Sequence, residues 1–311
     1  MNASRKIARL VLGTAQLGLP YGAANRIGMP SEDDAAALLA AALAAGVRAF
    51  DTARAYGESE RRLGRALAKA SDVTIVTKLD PLAQLPADAP PDQAAVAARA
   101  SLDMSRAALG RTRLDVVLLH RAEHRTQWGG AVWRCLAEER RANRIGALGI
   151  SAQSPVEVAE ALQDPLVRHL QLPFNLLDWR WSEADTIAQL RNRPDVTVHV
   201  RSVFLQGLLA TEAARWPAIA GVDPARVRHD LDRLVRQTSR VGRADLCLAF
   251  VRAQDWIDGV VIGCETTDQL QDNLDLFRRD ALSREDLDAV IRARPRVAAD
   301  LLDPARWPAT A

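Results

Sequence analysis

The sequence predicts a parallel (β/α)8 barrel, on three grounds. Short apolar, β-branched runs alternate with helix-patterned segments eight times along 311 residues. The helical segments open on recognisable capping residues, which satisfy amides that have no partner at a helix start. The glycine fingerprint of an open dinucleotide-binding sheet, GxGxxG, is absent after the first run, at Gly13-Thr14-Ala15-Gln16-Leu17-Gly18.

The first run covers 8–12 and is followed by Ser31 and Asp34 at the head of an Ala/Leu helix that stops at Gly46. Runs at 47–50 and 73–77 come next, the latter trailed by a proline-rich stretch, 81–91, that reads as a long loop. After 114–119 and 145–150, Ser154-Pro155-Val156-Glu157 forms a capping box with proline in the first helical position. The runs 170–173 and 196–200 follow, then a second long loop over 202–223. The eighth run, 259–262, precedes another capping box, Thr266 with Gln269, ahead of Leu270, Leu274 and Phe277. A further helix at about 284–293, capped by Ser283 and closed before Pro295, lies beyond the last barrel unit. Each run is short and largely apolar, as a strand covered on both faces must be. Strand–helix alternation implies parallel pairing through right-handed crossovers. Eight units in about 260 residues suit a closed barrel better than an open doubly wound sheet. With no Gly-, Ser- or Pro-rich linker to divide it, 1–311 reads as one barrel domain, 282–311 being a C-terminal extension.

Composition narrows the function. Hydrophobic residues make up 48% of the chain, and its 41 basic and 39 acidic residues are interspersed to a net charge of +2. Neither a nucleic-acid groove nor a membrane-binding face is expected, since both need clustered positive charge. Cys135, Cys247 and Cys264 lie far apart without CxxC spacing, which points away from metal binding and disulfides and toward a reducing compartment. Residues 1–9 are polar and carry no apolar signal core, and no run nears the roughly 18 apolar residues a bilayer span needs. The expected location is the cytoplasm.

In such a barrel, chemistry gathers at the C-terminal ends of the strands. Asp51, Lys78 and His120 close the second, third and fourth runs, and Tyr56 follows in the loop after Asp51. Singly, each has an ordinary explanation: a helix cap, a surface lysine, a satisfied core histidine. Together on one rim they compose a carbonyl-reducing site. Reduction needs a hydride from a cofactor and a proton for the developing alkoxide. A free tyrosine, with a pKa of about 10, is a slow acid at neutral pH. A neighbouring ammonium favours the phenolate, and a carboxylate keeps a buried ammonium charged and oriented. Tyr56 is thus the expected proton donor, Lys78 its tuner, Asp51 the counter-ion of Lys78, and a neutral His120 the donor that orients the carbonyl oxygen.

The stretch Asp51-Thr52-Ala53-Arg54-Ala55-Tyr56-Gly57-Glu58-Ser59-Glu60, with Thr77-Lys78 and Leu118-Leu119-His120, resembles the aldo-keto reductases, and the resemblance runs from Gly13-Thr14-Ala15 to Asn273. It implies a (β/α)8 barrel that binds NADPH, less often NADH, extended across the C-terminal rim. It also implies a catalytic tetrad of Asp51, Tyr56, Lys78 and His120, with Gly13, Thr14, Ala15 and Asp51 along the cofactor. Ser151 and Gln171 would hold the nicotinamide carboxamide, although Ala152 stands where the family often has asparagine. Arg201 occupies the place where many relatives set an aromatic against the nicotinamide. A guanidinium also stacks on planar rings, the other reading being a rim arginine that faces solvent or the pyrophosphate. Ser202, Phe204 and Gly207 belong to the same cofactor-binding strand end. Gly263, Cys264, Glu265, Gln269 and Asn273 match the segment that grips the adenosine end. Relatives committed to NADPH usually carry Lys or Arg there. Glu265 would instead repel a 2′-phosphate or bond a free ribose hydroxyl, with Arg243 as a compensating cation. The implied cofactor is NADPH or NADH, without a preference.

The substrate pocket is expected to be lined by Tyr21, Trp128, Phe174, Trp179 and Trp216 beside Tyr56 and His120, with Arg54 and Arg121 on the rim. Aromatic walls suit aldehydes or sugars, and arginines suit an anionic group. Trp133 and Trp256 read as interhelix packing. The expected function is NAD(P)H-dependent reduction of aldehydes or ketones, or oxidation of the corresponding alcohols or sugars. A redox-sensing, cofactor-binding regulatory subunit competes with it, as does a barrel isomerase or aldolase with Lys78 as a Schiff base. An intact tetrad argues for turnover; the Schiff-base reading needs Lys78 freed from Asp51 and leaves Tyr56 idle.

Overall fold

The computed structural model describes residues 9–308 apart from 23, 24 and 26. Eight strands, β1 (Arg9–Gly13), β2 (Ala49–Asp51), β3 (Thr74–Lys78), β4 (Leu114–Leu119), β5 (Ile145–Ser151), β6 (Val167–Pro173), β7 (Thr197–Arg201) and β8 (Gly259–Gly263), pair in parallel in chain order and close into a barrel. β1 bonds to β8 from Arg9↔Gly259 to Gly13↔Gly263, which leaves no open edge. The expected fold class is the one observed. Ala8, where the first run was expected to begin, lies outside the described residues.

Around the barrel stand α1 (Glu32–Ala44), α2 (Ser59–Ala66), α3 (Pro91–Leu109), α4 (Ala131–Arg141), α5 (Pro155–Leu162), the short α6 (Arg180–Glu183) and α7 (Thr186–Arg191), α8 (Pro224–Gln237), α9 (Arg243–Arg252) and α10 (Thr267–Arg278). The last helix, α11 (Arg284–Ala293), has the bounds its sequence signals predict. Ser31, Ser154, Thr266 and Ser283 all cap as expected, their hydroxyls accepting from the backbone N–H three residues on.

Strand bounds depart from the expected runs by at most two residues except at β6, and the segment after β7 also differs. β6 begins at Val167 rather than 170, because Arg168 and His169 belong to the strand and His169 is buried. The segment 202–223 is a loop with two short 3-10 turns, but the helix after it, α8, went unrecognised. Its charged surface hides a narrow apolar stripe, Val227, Leu231 and Leu234, at helical spacing.

Most of the core lies between barrel and helices, and one apolar cluster links Leu12 of β1 to Leu302. Inside the barrel an apolar patch of Val76, Val116 and Leu118 shares the space with buried Asp51, Lys78, His169, Gln171 and His199. His169 and His199 meet edge to face at 4.3 Å. Gly259 makes room for them: a Cβ there would lie 2.6 Å from the His199 ring. The C-terminal segment buries Leu287, Val290, Val297, Leu301 and Leu302. It is tied to the β6–α6 loop by Arg294 Nη1 donating to Leu176 O at 3.1 Å. Among the described residues no helix is long and apolar enough to cross a membrane.

Candidate active site

Asp51 and Lys78 are the last residues of β2 and β3, and His120 directly follows β4. Lys78, 1% exposed, donates from Nζ to both Asp51 carboxylate oxygens at 2.8 Å and to Thr52 O at 3.0 Å. Those bonds use all three ammonium protons. Burial, the largest single influence, opposes the charge; Asp51 and then Tyr56 together exceed it, so Lys78 is held above the ordinary lysine range and stays protonated. Gln171 reaches across the lumen from β6 and donates from Nε2 to Asp51 Oδ2 at 2.6 Å.

Tyr56 closes the group. Its ring centroid lies 5.0 Å from Lys78 Nζ and 5.9 Å from the His120 ring, which it meets edge to face. Burial first, then the cations of Lys78, Arg201 and Arg121, pushes His120 down to about 3. The imidazole is therefore neutral, with one N–H to donate and one lone pair. All four sequence-predicted residues come together.

Contacts that the sequence motif does not announce hold Tyr56 in place. Gly18 lies so close beneath it that a Cβ would stand 1.8 Å from Tyr56 O, and Gly57 takes a left-handed φ of +50° against Gly18. Behind this contact a hydroxyl network joins Thr14 Oγ1 to Ser59 Oγ (2.7 Å) and Ser59 Oγ to Thr52 Oγ1 (2.9 Å), while Thr14 Oγ1 donates to Asp51 O at 2.8 Å. Glu60, fully buried at the start of α2, accepts from Thr77 Oγ1 at 2.6 Å and pairs with Arg54. The signal was in the tetrad stretch itself, since Ser59 and Glu60 open a helix yet sit on its buried face.

The residues assigned to the cofactor ring the same mouth. Gly13, Ser151, Arg201 and Gly263 end their strands, and Thr14 and Ala15 are buried just beyond β1. Gln171 Oε1 is buried without a hydrogen-bond partner, an acceptor that fits the N–H of a carboxamide. After β7, Ser202, Leu205, Gln206 and Gly207 all have positive φ (61°, 48°, 53° and 90°), and Phe204 packs on the core. Three such residues other than glycine in one short loop store backbone strain of the kind that clusters at ligand sites. At the head of α10, Gln269 Oε1 accepts from Glu265 N at 2.8 Å, and Asn273 Nδ2 donates to Gln269 O at 2.8 Å and to Cys264 Sγ at 3.4 Å. Arg243 is turned to Asp232 at 3.5 Å and is 13% exposed.

The aromatic and basic residues assigned to the pocket fare less uniformly. Tyr21 is 44% exposed overall, but its hydroxyl end is enclosed, and that burial first and Tyr56 second raise its pKa. Phe174 is a correction: it is 2% exposed and packs on Phe250 and Trp256, so it belongs to the core. Arg54, in the β2–α2 loop and 19% exposed, pairs with Glu60. Trp128 is buried and donates from Nε1 to Pro86 O at 2.8 Å, joining two rim loops. Trp179 donates to Val297 O at 3.0 Å under the Arg296 guanidinium and thus docks the C-terminal segment. Trp216 is buried, and exposed Arg121 faces Glu123 at 3.6 Å. Trp133 bonds Asp164 at 2.8 Å within the packing layer.

With that geometry in view, the sequence pattern of the aldo/keto reductase family matches residues 9–294. The chain belongs to the aldo/keto reductase family. A pyridoxal 4-dehydrogenase of Microbacterium luteolum is 25% identical, over 88% of this chain and 90% of that protein. An aldo-keto reductase of Mycolicibacterium smegmatis is 25% identical, over 66% and 78%. Among solved structures, a holo-form aldo-keto reductase from Bacillus halodurans superposes with a TM-score of 0.74 at 21% identity, covering 94% of this chain and 93% of that one. This aldo-keto reductase is accordingly an NAD(P)H-dependent oxidoreductase acting on small carbonyl compounds.

Proposed function

We propose that this enzyme reduces aldehydes or ketones, and runs the reverse alcohol oxidation, with Tyr56 as general acid and base. The observation that carries the reading is the buried Lys78–Asp51 pair set 5.0 Å from the Tyr56 ring. A nicotinamide cofactor held by the strand-end residues above would supply the hydride for the carbonyl carbon. As that C–H bond forms, the carbonyl oxygen takes up the electron pair of the broken π bond, and the Tyr56 hydroxyl gives it a proton. The Lys78 ammonium stabilises the phenolate left behind, and Asp51, held by Gln171 and Lys78, keeps that ammonium charged. His120, neutral at working pH, donates its N–H to the same oxygen and fixes its direction. Schiff-base chemistry at Lys78 is disfavoured, because all three of its protons are bonded and its charge is held.

On the cofactor, the residues favour NADH. Glu265 stands at the head of α10 with Asp268 in the first turn, and Arg243, named above as a compensating cation, faces Asp232 at 3.5 Å while its Nη1 has no hydrogen-bond partner. The Microbacterium relative makes pyridoxal the first compound to assay. Three buried, unbridged cysteines suit work in a reducing cytoplasm. The test is a fluorescence titration with NADH and with NADPH, followed by carbonyl-dependent oxidation of the bound form. Saturable binding with NADH the tighter supports the reading; no binding of either near millimolar concentration removes the hydride source and overturns it.

A further inference from the structure

Arg201 is held more loosely than most other partly buried arginines, of which Arg111, Arg252 and Arg294 lack a carboxylate but each donate to a backbone carbonyl at 3.1 Å or closer. Arg54 pairs with Glu60, Arg106 with Glu139 and Arg180 with Asp178. Among the described residues Arg201 has no carboxylate partner; its only polar side-chain contact is a 3.4 Å bond from Nη2 to Ala152 O. Strand geometry fixes its direction. On β7, His199 and Arg201 share one face, and His199 meets His169 inside the barrel, so Arg201 tops an inward-facing column. To approach Ala152, beyond the end of β5, its guanidinium crosses β6 at the barrel mouth. Its charge is felt there by His120, Tyr21 and Lys78. The nearby carboxylates are already engaged: Asp51 by Lys78 and Gln171, Glu60 by Arg54 and Thr77, and Glu123 faces Arg121. A partly desolvated cation without a counter-ion is costly, and a complementary anion recovers that cost.

We propose that Arg201 anchors an anionic group, carboxylate or phosphate, carried by the substrate whose carbonyl meets Tyr56 and His120. Arg201 is then a specificity-determining residue, and anionic aldehydes or ketones are the substrate class. The inference rests on the reductase reading of the same site. The anionic function expected of Arg54 passes to Arg201, because Arg54 is engaged by Glu60 while the Arg201 fork is free to bind two oxygens.

The probes are 4-carboxybenzaldehyde and its methyl ester, which share the aldehyde and differ in the charge. Calorimetric titration of each into wild type, Arg201→Met and Arg201→Lys reads binding whether or not turnover follows. The acid should bind wild type about tenfold or more tightly than the ester, with a preference that weakens as salt rises. That ratio should collapse toward one in Arg201→Met and survive in part in Arg201→Lys. A wild-type ratio of one, or a ratio that persists in Arg201→Met, overturns the proposal. So does a variant that loses NADH affinity while keeping the ratio, since the guanidinium then serves the cofactor's phosphates. Failure of wild type to oxidise NADH or NADPH with either aldehyde sinks the reductase reading instead, and the binding ratio still decides the role of Arg201.

Discussion

Lys78 and Asp51 are buried together, and neither charge is tolerable without the other. Lys78→Met strands a carboxylate that is 4% exposed, which should cost about 3–5 kcal/mol in denaturant unfolding. Adding Asp51→Asn to that variant should recover at least half of the loss; a double variant as unstable as the single would contradict the pairing. Gly18 acts by taking up no space. Gly18→Ala sets a Cβ 1.8 Å from Tyr56 O, so the Tyr56 loop must move, and kcat should fall about 10²-fold. A wild-type kcat in that variant would show that the loop position is immaterial. At this scale the sequence was legible where residue type and strand end coincide, as at Asp51, Lys78 and His120. The Gln171–Asp51 bond was hidden, because it joins residues 120 positions apart across the lumen. Phe174 misled because an aromatic at a strand end can face either the pocket or the core, and spacing does not say which.

At the scale of elements, caps and strand ends carried the reading, and charge concealed what it missed. Serine and threonine caps located α1, α5, α10 and α11, since an unpaired helix-start amide is satisfied locally and leaves its trace in adjacent residues. α8 escaped because its apolar stripe is three residues wide in a strongly charged segment. On the NADH reading proposed above, the head of α10 decides cofactor choice. Glu265→Lys should tighten NADPH about tenfold relative to NADH in paired titrations; an unchanged ratio would remove Glu265 from the discrimination. The C-terminal segment, which we take as integral to the barrel domain, buries Val297, Leu301 and Leu302 and holds Trp179. Ending the chain after residue 293 should therefore lower the melting temperature and expose Trp179 to quenchers; a truncated chain with wild-type melting and quenching would make the segment an appendage.

For the whole molecule, histidines buried in the barrel and in the loop after β4 set an acid limit. His120, His124, His169 and His199 are all held below the ordinary histidine value, chiefly by burial, with His120 at about 3 and His199 at about 4. As pH falls from about 6.5, the unfolded chain takes up protons that the folded chain refuses. Their contribution is complete above about pH 6.5 and is lost progressively as pH drops toward the folded values. Unfolding free energy should fall by at least about 1.4 kcal/mol per pH unit between 6.5 and 5, above the range where carboxylates titrate. A flat profile there would mean that the barrel interior accepts the charge.

The mechanism turns on proton transfer by Tyr56, and Tyr56→Phe isolates that step when turnover and cofactor affinity are measured on the same preparation. The expected result is that kcat falls by roughly 10²- to 10⁴-fold while the dissociation constant for NADH changes little, because one hydroxyl is lost and the ring stays against Lys78 and His120. Turnover close to wild type in that variant would contradict it.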